Sequence, residues 1–184
     1  FGENGLNSVS TQFQKFVSGQ LKNNPASRKP RPVHFNCWEA VYFQHSLERL
    51  KNLAQTAAEL GAERFVLDDG WFGKRNSDES SLGDWNVNCE KYPNGLSPLI
   101  DHIKHLGLEF GLWFEPEMVN KQSDLFINHP DWILGSPDQN LGRNQLVLDM
   151  SKSEVIDYLY NSISEILSKY EVDYVKWDHN RVLP

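Results

Sequence analysis

The chain has 184 residues, of which 39% are hydrophobic and 23% are charged, and this composition is typical of a globular protein of one or two domains. The net charge of −7 argues against nucleic acid or an anionic membrane as the main partner. The sequence shows no signal-peptide pattern, no apolar run long enough to span a bilayer, and no metal-ligand or disulfide spacing around Cys37 and Cys89. We therefore expect a cytoplasmic protein.

Residues 1–32 are polar and end in a stretch punctuated by prolines. They are predicted to form an N-terminal connecting segment and linker, with one short amphipathic helix over residues 11–21. Residues 33–184 follow a different pattern, in which apolar runs alternate with amphipathic segments.

The apolar runs predict strands at 33–40, 64–71, 109–116 and 173–178, and a further extended run at 145–150. The amphipathic segments predict helices at 46–60, 97–106 and 125–128. Ser97 is predicted to cap the second of these helices, and Ser151 with Glu154 is predicted to form a capping box for a last helix. Strands that alternate with helices indicate βαβ units and a parallel sheet.

Each of these runs ends in polar or aromatic residues, whereas none carries a dinucleotide-binding or phosphate-binding glycine motif. The clusters are Trp38 and Glu39; Asp68, Asp69 and Trp71; Trp113, Glu115 and Glu117; Asp149; and Lys176, Asp178 and Asn180. In a (β/α)8 barrel, the active site lies at the carboxyl ends of the strands. We therefore predict an α/β fold of the (β/α)8 TIM-barrel type. Because such a barrel needs roughly 250 residues, residues 33–184 are expected to form only about its first half.

Lys176, Asp178 and Asn180 alternate along the last predicted strand, so their side chains share one face of it. A neighbouring lysine favours the ionised form of an aspartate, and an ionised aspartate is the nucleophile of many retaining glycosidases. A purely structural salt bridge between Lys176 and Asp178 is the alternative, and these residues alone do not decide between the two.

Asp68 and Asp69 form the second notable group, because a pair of ionised carboxylates is a strong acceptor for sugar hydroxyls. Calcium or magnesium binding with help from Glu115 and Glu117 is the rival interpretation, although no metal motif is present. Glu115 and Glu117 are also a candidate acid/base pair, and Arg143 is a candidate partner for a hydroxyl or carboxylate. Four tryptophans at strand ends would give flat walls for sugar rings: Trp38, Trp71, Trp113 and Trp177.

Seven motifs, in order, resemble the catalytic barrel of the retaining α-galactosidases of glycoside hydrolase family 36: NCWEA, VLDDGWFGKR, SLGDW, GLWFEPEMV, HPDW, RNQLVLDMS and DYVKWDHNR. The resemblance extends from about Asn4 to Leu183. It implies a (β/α)8 barrel flanked by two β-domains, activity on terminal α-galactosides, and neither metal nor organic cofactor. α-Galactoside oligosaccharides are the expected partners, and the intact enzyme is expected to be a homo-oligomer.

The resemblance also implies residue roles. Asp178 matches the catalytic nucleophile. Seven residues match substrate-binding positions: Trp38, Asp68, Asp69, Trp113, Arg143, Lys176 and Asn180. Asp68 and Asp69 match the pair that holds the O4 and O6 side of galactose. No carboxylate of this chain matches the acid/base residue of the family, so the chain alone is expected to be inactive or nearly so. A galactose-binding half-barrel, a galactosyl-transferring relative and a metal-dependent barrel hydrolase are the alternatives.

Overall fold

The structure is a computed structural model that describes residues 5–20 and 29–181. The chain divides into two compact units, residues 1–32 and residues 33–184. The described helix of the first unit is α1 (Gly5–Gln20), which buries none of its residues. The predicted helix at 11–21 therefore exists and begins six residues earlier, at Gly5, whereas its predicted last residue, Leu21, lies outside the described part.

The second unit is built on a parallel sheet. Its strands, in chain order, are β1 (His34–Asn36), β2 (Arg64–Leu67), β3 (Glu109–Phe114), β4 (Met118–Val119), β5 (Leu146–Val147) and β6 (Tyr174–Trp177). Four of them form one sheet in the order β1-β2-β3-β6, and every neighbouring pair is parallel. β4 and β5 form a separate antiparallel pair. The predicted parallel α/β sheet is thus confirmed.

Helices follow the strands and supply the apolar layer against the sheet. They are α2 (Trp38–Val41), α3 (Leu47–Glu59), α4 (Ser97–His105), α5 (Asp124–Asn128) and α6 (Ser153–Lys169), with a 3-10 turn at Pro130–Trp132. α3, α4 and α6 each bury three apolar side chains, and their positions fall on one side of each helix. The side-chain oxygen of Ser46 caps α3 by accepting the N–H of Arg49. None of the helices in the described ranges is long and apolar enough to cross a membrane.

Three local predictions are wrong. The first strand ends at Asn36, because the Asn36 side chain accepts the N–H of Trp38 at 2.8 Å and the chain then turns into α2. The capping box does not form, since the hydroxyl of Ser151 donates to Asp149 at 2.6 Å and α6 begins two residues later without a side-chain cap. Ser97 is the first residue of α4 rather than its cap.

Candidate active site

A cavity of about 210 Å³ lies at the carboxyl ends of the parallel strands. Its lining includes all eight residues that the sequence predicts for the site: Trp38, Asp68, Asp69, Trp113, Arg143, Lys176, Asp178 and Asn180. Arg75, Glu115 and Gln145 complete the wall. The parallel topology explains the convergence, because Asp68 directly follows β2, Asp178 directly follows β6, and Trp113 lies at the end of β3.

Asp178 is held by hydrogen bonds from three directions. Its Oδ2 accepts the indole N–H of Trp113 at 2.9 Å and the side-chain amide of Asn180 at 2.8 Å. Among the described residues, its Oδ1 accepts only the backbone N–H of His179, at 3.1 Å. Burial tends to raise the pKa of Asp178, but the hydrogen bonds from Asn180 and Trp113 and the charge of Lys176 prevail and hold it below its usual value. Asp178 is therefore an ionised carboxylate at neutral pH.

Lys176 does not form the salt bridge with Asp178 that was the structural alternative. Its ammonium lies 2.8 Å from Oδ2 of Asp68, and the same oxygen accepts the side-chain amide of Asn36. The other oxygen of Asp68 accepts the backbone N–H of Asp69 at 2.9 Å. Lys176 thus acts on Asp178 through its charge alone.

Asp69, like Asp68, is buried. Arg75 binds it with two nearly parallel hydrogen bonds, Nε to Oδ1 at 2.9 Å and Nη2 to Oδ2 at 2.8 Å. Burial raises the pKa of Asp69, although the paired guanidinium of Arg75 opposes this. Each aspartate is thus paired with a cation, Asp68 with Lys176 and Asp69 with Arg75. The sequence predicted the two carboxylates but not these partners.

Arg75 was missed by the sequence analysis, although it is 1% exposed and reaches the cavity. Besides Asp69, it donates to the carbonyl of Ser80 and to the side-chain oxygen of Asn120, at 2.9 and 2.8 Å. The signal was its position six residues after Asp69, within GWFGKR. A basic residue that close to two aspartates is a candidate partner for one of them.

Arg143 lies at the tip of a tight turn beside the cavity. Arg143 and Asn144 have φ of 52° and 58°, and Gln145 donates its N–H to Gly142 across the turn at 3.0 Å. The side chain of Asn120 anchors this turn by donating to the carbonyl of Asn144 at 2.8 Å. Asn120 therefore connects the turn that carries Arg143 with the guanidinium of Arg75.

Glu115 and Gln145 form the back of the site. Glu115 is 1% exposed, and its two oxygens accept the backbone N–H of Asn180 and the side-chain amide of Gln145, each at 2.9 Å. Glu117 lies outside the cavity lining, and its Oε1 accepts the indole N–H of Trp177. The two glutamates therefore do not face each other as an acid/base pair.

The tryptophans divide into two groups. Trp38 and Trp113 line the cavity. Trp71 is fully buried and donates to the backbone carbonyl of Trp113 at 2.9 Å, so it belongs to the core beneath the site. Trp177 is 56% exposed and does not reach the cavity. Two of the four tryptophans that the sequence placed at strand ends thus line the cavity.

Metal ligation was the rival interpretation of the aspartates. Within residues 5–20 and 29–181, no group of three or more His, Cys, Asp and Glu side chains is arranged to hold a metal ion. Asp68 and Asp69 instead direct their carboxylates at Lys176 and Arg75.

A parallel α/β sheet with carboxylates, amides and tryptophans around a cavity at its carboxyl edge has the architecture of a (β/α)8-barrel enzyme. A family model described as Melibiase matches residues 1–184, and the chain belongs to this family.

Known proteins of this kind are similar over nearly the whole chain. An alpha-galactosidase of Escherichia coli is 50% identical over 181 residues, which cover 97% of this chain and 25% of the relative. The crystal structure of the GH36 alpha-galactosidase AgaB from Geobacillus stearothermophilus is 52% identical with a TM-score of 0.82, and the match covers 86% of this chain and 22% of that one. A variant of AgaA from the same organism, in complex with raffinose, is 51% identical with a TM-score of 0.79, over 84% and 22%.

These matches confirm the resemblance to family 36 and the partial barrel. The chain spans about a quarter of the length of the relatives that it matches.

Proposed function

We propose that this chain forms the N-terminal part of the catalytic domain of an α-galactosidase, a glycoside hydrolase that removes terminal α-galactose from oligosaccharides of the melibiose and raffinose type. The family and the similar alpha-galactosidases support this proposal. The raffinose bound to the AgaA variant supports the substrate class.

The observation that carries the proposal is the state of Asp178. It is ionised, it lies between Trp113 and Asn180 in the cavity, and its Oδ1 accepts no side-chain donor among the described residues. A carboxylate with one tethered and one less engaged oxygen is suited to attack an anomeric carbon. We therefore assign Asp178 as the nucleophile.

In the proposed mechanism, Oδ1 of Asp178 forms a bond to the anomeric carbon while the bond to the leaving-group oxygen breaks. Water then hydrolyses the galactosyl-aspartate, and galactose is released with retained configuration. Leaving-group protonation needs a second carboxyl about 5–5.5 Å from the nucleophile. We assign that proton to a residue outside these 184 residues, because no carboxylate of this chain matches the acid/base residue of the family.

The substrate-binding roles are part of the same proposal. Asp68 and Asp69, with their paired cations, present fixed acceptors and donors for the O4 and O6 side of galactose. Trp38 and Trp113 provide apolar surface for the ring, and Arg143 reaches the mouth from its turn. Lys176 and Asn180 complete the set. We also propose that the intact enzyme is a cytoplasmic homo-oligomer and that it hydrolyses its substrate rather than transferring galactose to another sugar.

The test is Asp178→Asn in the complete α-galactosidase that carries this sequence. Turnover of an aryl α-galactoside is expected to fall by several orders of magnitude, whereas galactose binding measured by calorimetry persists, because the amide keeps the shape of the carboxylate. Asp101→Asn, on the exposed side of α4, is the matched control with normal turnover. Unchanged rates for Asp178→Asn would refute the nucleophile.

Assaying the isolated 184-residue chain distinguishes a chain that is active by itself from one that only binds sugar. We expect hydrolysis by the 184-residue chain alone to be lower by at least the ~10²–10⁴-fold that general acid catalysis contributes. Substantial turnover by this chain would contradict the assignment of the acid to another segment.

A further inference from the structure

Glu115 is the one buried carboxylate of the cavity without a cationic partner among the described residues. Asp68 pairs with Lys176, and Asp69 pairs with Arg75. Glu115, 1% exposed, instead accepts hydrogen bonds from two uncharged donors, the backbone N–H of Asn180 and the side-chain amide of Gln145. A buried charge that no cation accompanies is costly, and this one lies beside the nucleophile.

Asn180 is the link between Glu115 and Asp178. It lies beyond the end of β6, so no strand neighbour holds its backbone N–H, and Glu115 Oε1 accepts that N–H at 2.9 Å. The side chain of the same residue donates to Oδ2 of Asp178 at 2.8 Å. Glu115 therefore determines where Asn180 lies, and Asn180 in turn fixes the orientation of the Asp178 carboxylate.

Gln145 offers a place for a proton on Glu115. Its Nε2 donates to Oε2 of Glu115 at 2.9 Å, whereas its own Oε1 is buried and has no hydrogen-bond partner. If Glu115 takes up a proton, rotation of the Gln145 amide brings Oε1 towards it as the acceptor. The unsatisfied oxygen of Gln145 thus makes the neutral form of Glu115 accessible in the folded protein.

The charges around Glu115 favour that neutral form. Burial raises the pKa of Glu115 and the charge of Asp178 adds to this effect, whereas the hydrogen bonds from Asn180 and Gln145 only partly oppose it. The pKa of Asp178 is shifted the other way, below its usual value. Of the other charged groups that line the cavity, Lys176 and Arg75 are engaged by the two aspartates and Arg143 is exposed. On acidification, Glu115 therefore takes up a proton before Asp178 does.

We propose that Glu115 is a positioning residue which orients Asp178 through Asn180, and that protonation of Glu115, not of the nucleophile, sets the acid limit of activity. This inference rests on the proposed function, because it concerns the orientation of the proposed nucleophile. A neutral Glu115 accepts the Asn180 N–H less strongly, so Asn180 and the Asp178 carboxylate lose their fixed arrangement while Asp178 is still ionised.

The first test is Glu115→Gln in the complete enzyme. The glutamine side chain has the shape of a protonated glutamate and no charge, so this variant imitates neutral Glu115 at every pH and is expected to lower kcat/KM near pH 7. Because the titrating group is gone, kcat/KM should stay constant through the pH range in which Glu115 titrates, and the acid limb that remains should lie at lower pH, where Asp178 takes up its proton. Glu115→Ala removes both acceptors and is expected to lower kcat/KM roughly 10–100-fold with a smaller change in KM.

Glu117→Gln is the matched control, because Glu117 lies two residues away, outside the cavity lining, and its Oε1 contact with Trp177 can be kept by an amide oxygen. Its pH profile should equal that of the unchanged enzyme. An acid limb at the same pH in Glu115→Gln and in the unchanged enzyme would overturn the proposal.

A second test does not need activity. The indole N–H of Trp113 donates to Asp178, so its NMR signal, assigned by its loss in Trp113→Phe, reports on the carboxylate. The unchanged protein is expected to show a step above the usual pKa of a glutamate, and this step should be absent in Glu115→Gln. A single step below the usual pKa of an aspartate in the unchanged protein would contradict the inference even if Glu115→Gln failed to fold. If the complete enzyme has no α-galactosidase activity, the proposed function fails, and this titration still decides the role of Glu115.

Discussion

Lys176 and Asp68 form an ion pair across the carboxyl edge of the sheet, with 2.8 Å between Nζ and Oδ2. The two residues belong to the ends of β6 and β2, and β3 lies between these strands. The Asp68 side chain is only 4% exposed, whereas that of Lys176 is 35% exposed. The pair therefore ties the strand end that carries Asp178 to the strand end that carries both aspartates.

Lys176→Met is expected to destabilise the fold and weaken galactose binding together. It leaves the enclosed Asp68 carboxylate with only neutral donors, and the free energy of unfolding should fall by about 2 kcal/mol, below the 3–5 kcal/mol of a fully buried broken pair because Lys176 is partly exposed. Urea denaturation and calorimetry with galactose measure the two effects. Lys121→Met, at an exposed position, serves as the control. Unaltered galactose binding in Lys176→Met would argue against its substrate-binding role.

His45 lies behind the site and makes stability depend on pH. Burial, and to a lesser degree the charge of Lys91, lowers the pKa of His45 from 6.5 to about 3. The unfolded chain therefore binds a proton at His45 between about pH 6.5 and pH 3 that the folded protein does not bind. This contribution to stability is present above pH 6.5 and is lost progressively as the pH falls towards 3.

The expected loss from His45 is up to roughly 4 kcal/mol across that range. Urea unfolding at pH 7 and pH 4.5 should show a smaller difference in His45→Gln than in the unchanged protein. His105→Gln, on the last turn of α4, gives the matched control. An equal pH dependence in His45→Gln and the unchanged protein would show that His45 is not held neutral.

The strand ends of the site were predictable and their supporting loops were not. Asp68, Trp113 and Asp178 follow or end buried strands of a parallel sheet, and such strands bring their carboxyl ends together whatever the loops do. Arg75 and Asn120 act through conformations of connecting segments, which no periodicity in the sequence reports. Trp71 was likewise predicted to form a flat wall for a sugar ring, but the conformation of its loop places it in the core.

The start of α2 shows the same limit at the level of secondary structure. The run from Val33 to Ala40 continues to look like a strand, but one side-chain hydrogen bond, from the Trp38 N–H to Asn36, ends it. The side chain of Asn36 competes here with the hydrogen bonds between strands, and the outcome depends on backbone geometry that the amino-acid sequence does not show directly.

Asn120 is expected to be critical for stability although it lies outside the cavity lining. It is fully buried and uses all of its side-chain capacity: Oδ1 accepts from Arg75 and Leu82, and Nδ2 donates to the carbonyls of Asp78 and Asn144. Asn120→Leu has a similar shape and satisfies none of these groups, so unfolding should become easier by about 3 kcal/mol or more. Thermal unfolding measures this loss, and Asn52→Asp on the exposed face of α3 should leave it unchanged. A loss below about 1 kcal/mol would show that these four hydrogen bonds are not critical for stability.

Lys91 holds the loop between Asp69 and Arg75 in place. Its ammonium donates to three backbone carbonyls, those of Phe43, Gly70 and Arg75, at 2.9, 2.9 and 2.7 Å. Gly70 follows Asp69 directly, and Arg75 is the partner of Asp69, so Lys91 ties both ends of the loop that carries this ion pair. An ammonium has three N–H donors, and each of them finds one carbonyl here.

Lys91→Met keeps the length of the side chain but removes all three donors. The carbonyls of Gly70 and Arg75 then have no other donor among the described residues, and the free energy of unfolding should fall by about 2–4 kcal/mol. Amide hydrogen exchange should show lower protection between residues 70 and 76, where the backbone N–H of Gly73 and of Arg75 are hydrogen-bonded. Lys74→Met is the control, because Lys74 lies in the same loop with an exposed side chain. Equal protection of this loop in the Lys91 and Lys74 variants would show that the three carbonyl contacts do not hold it.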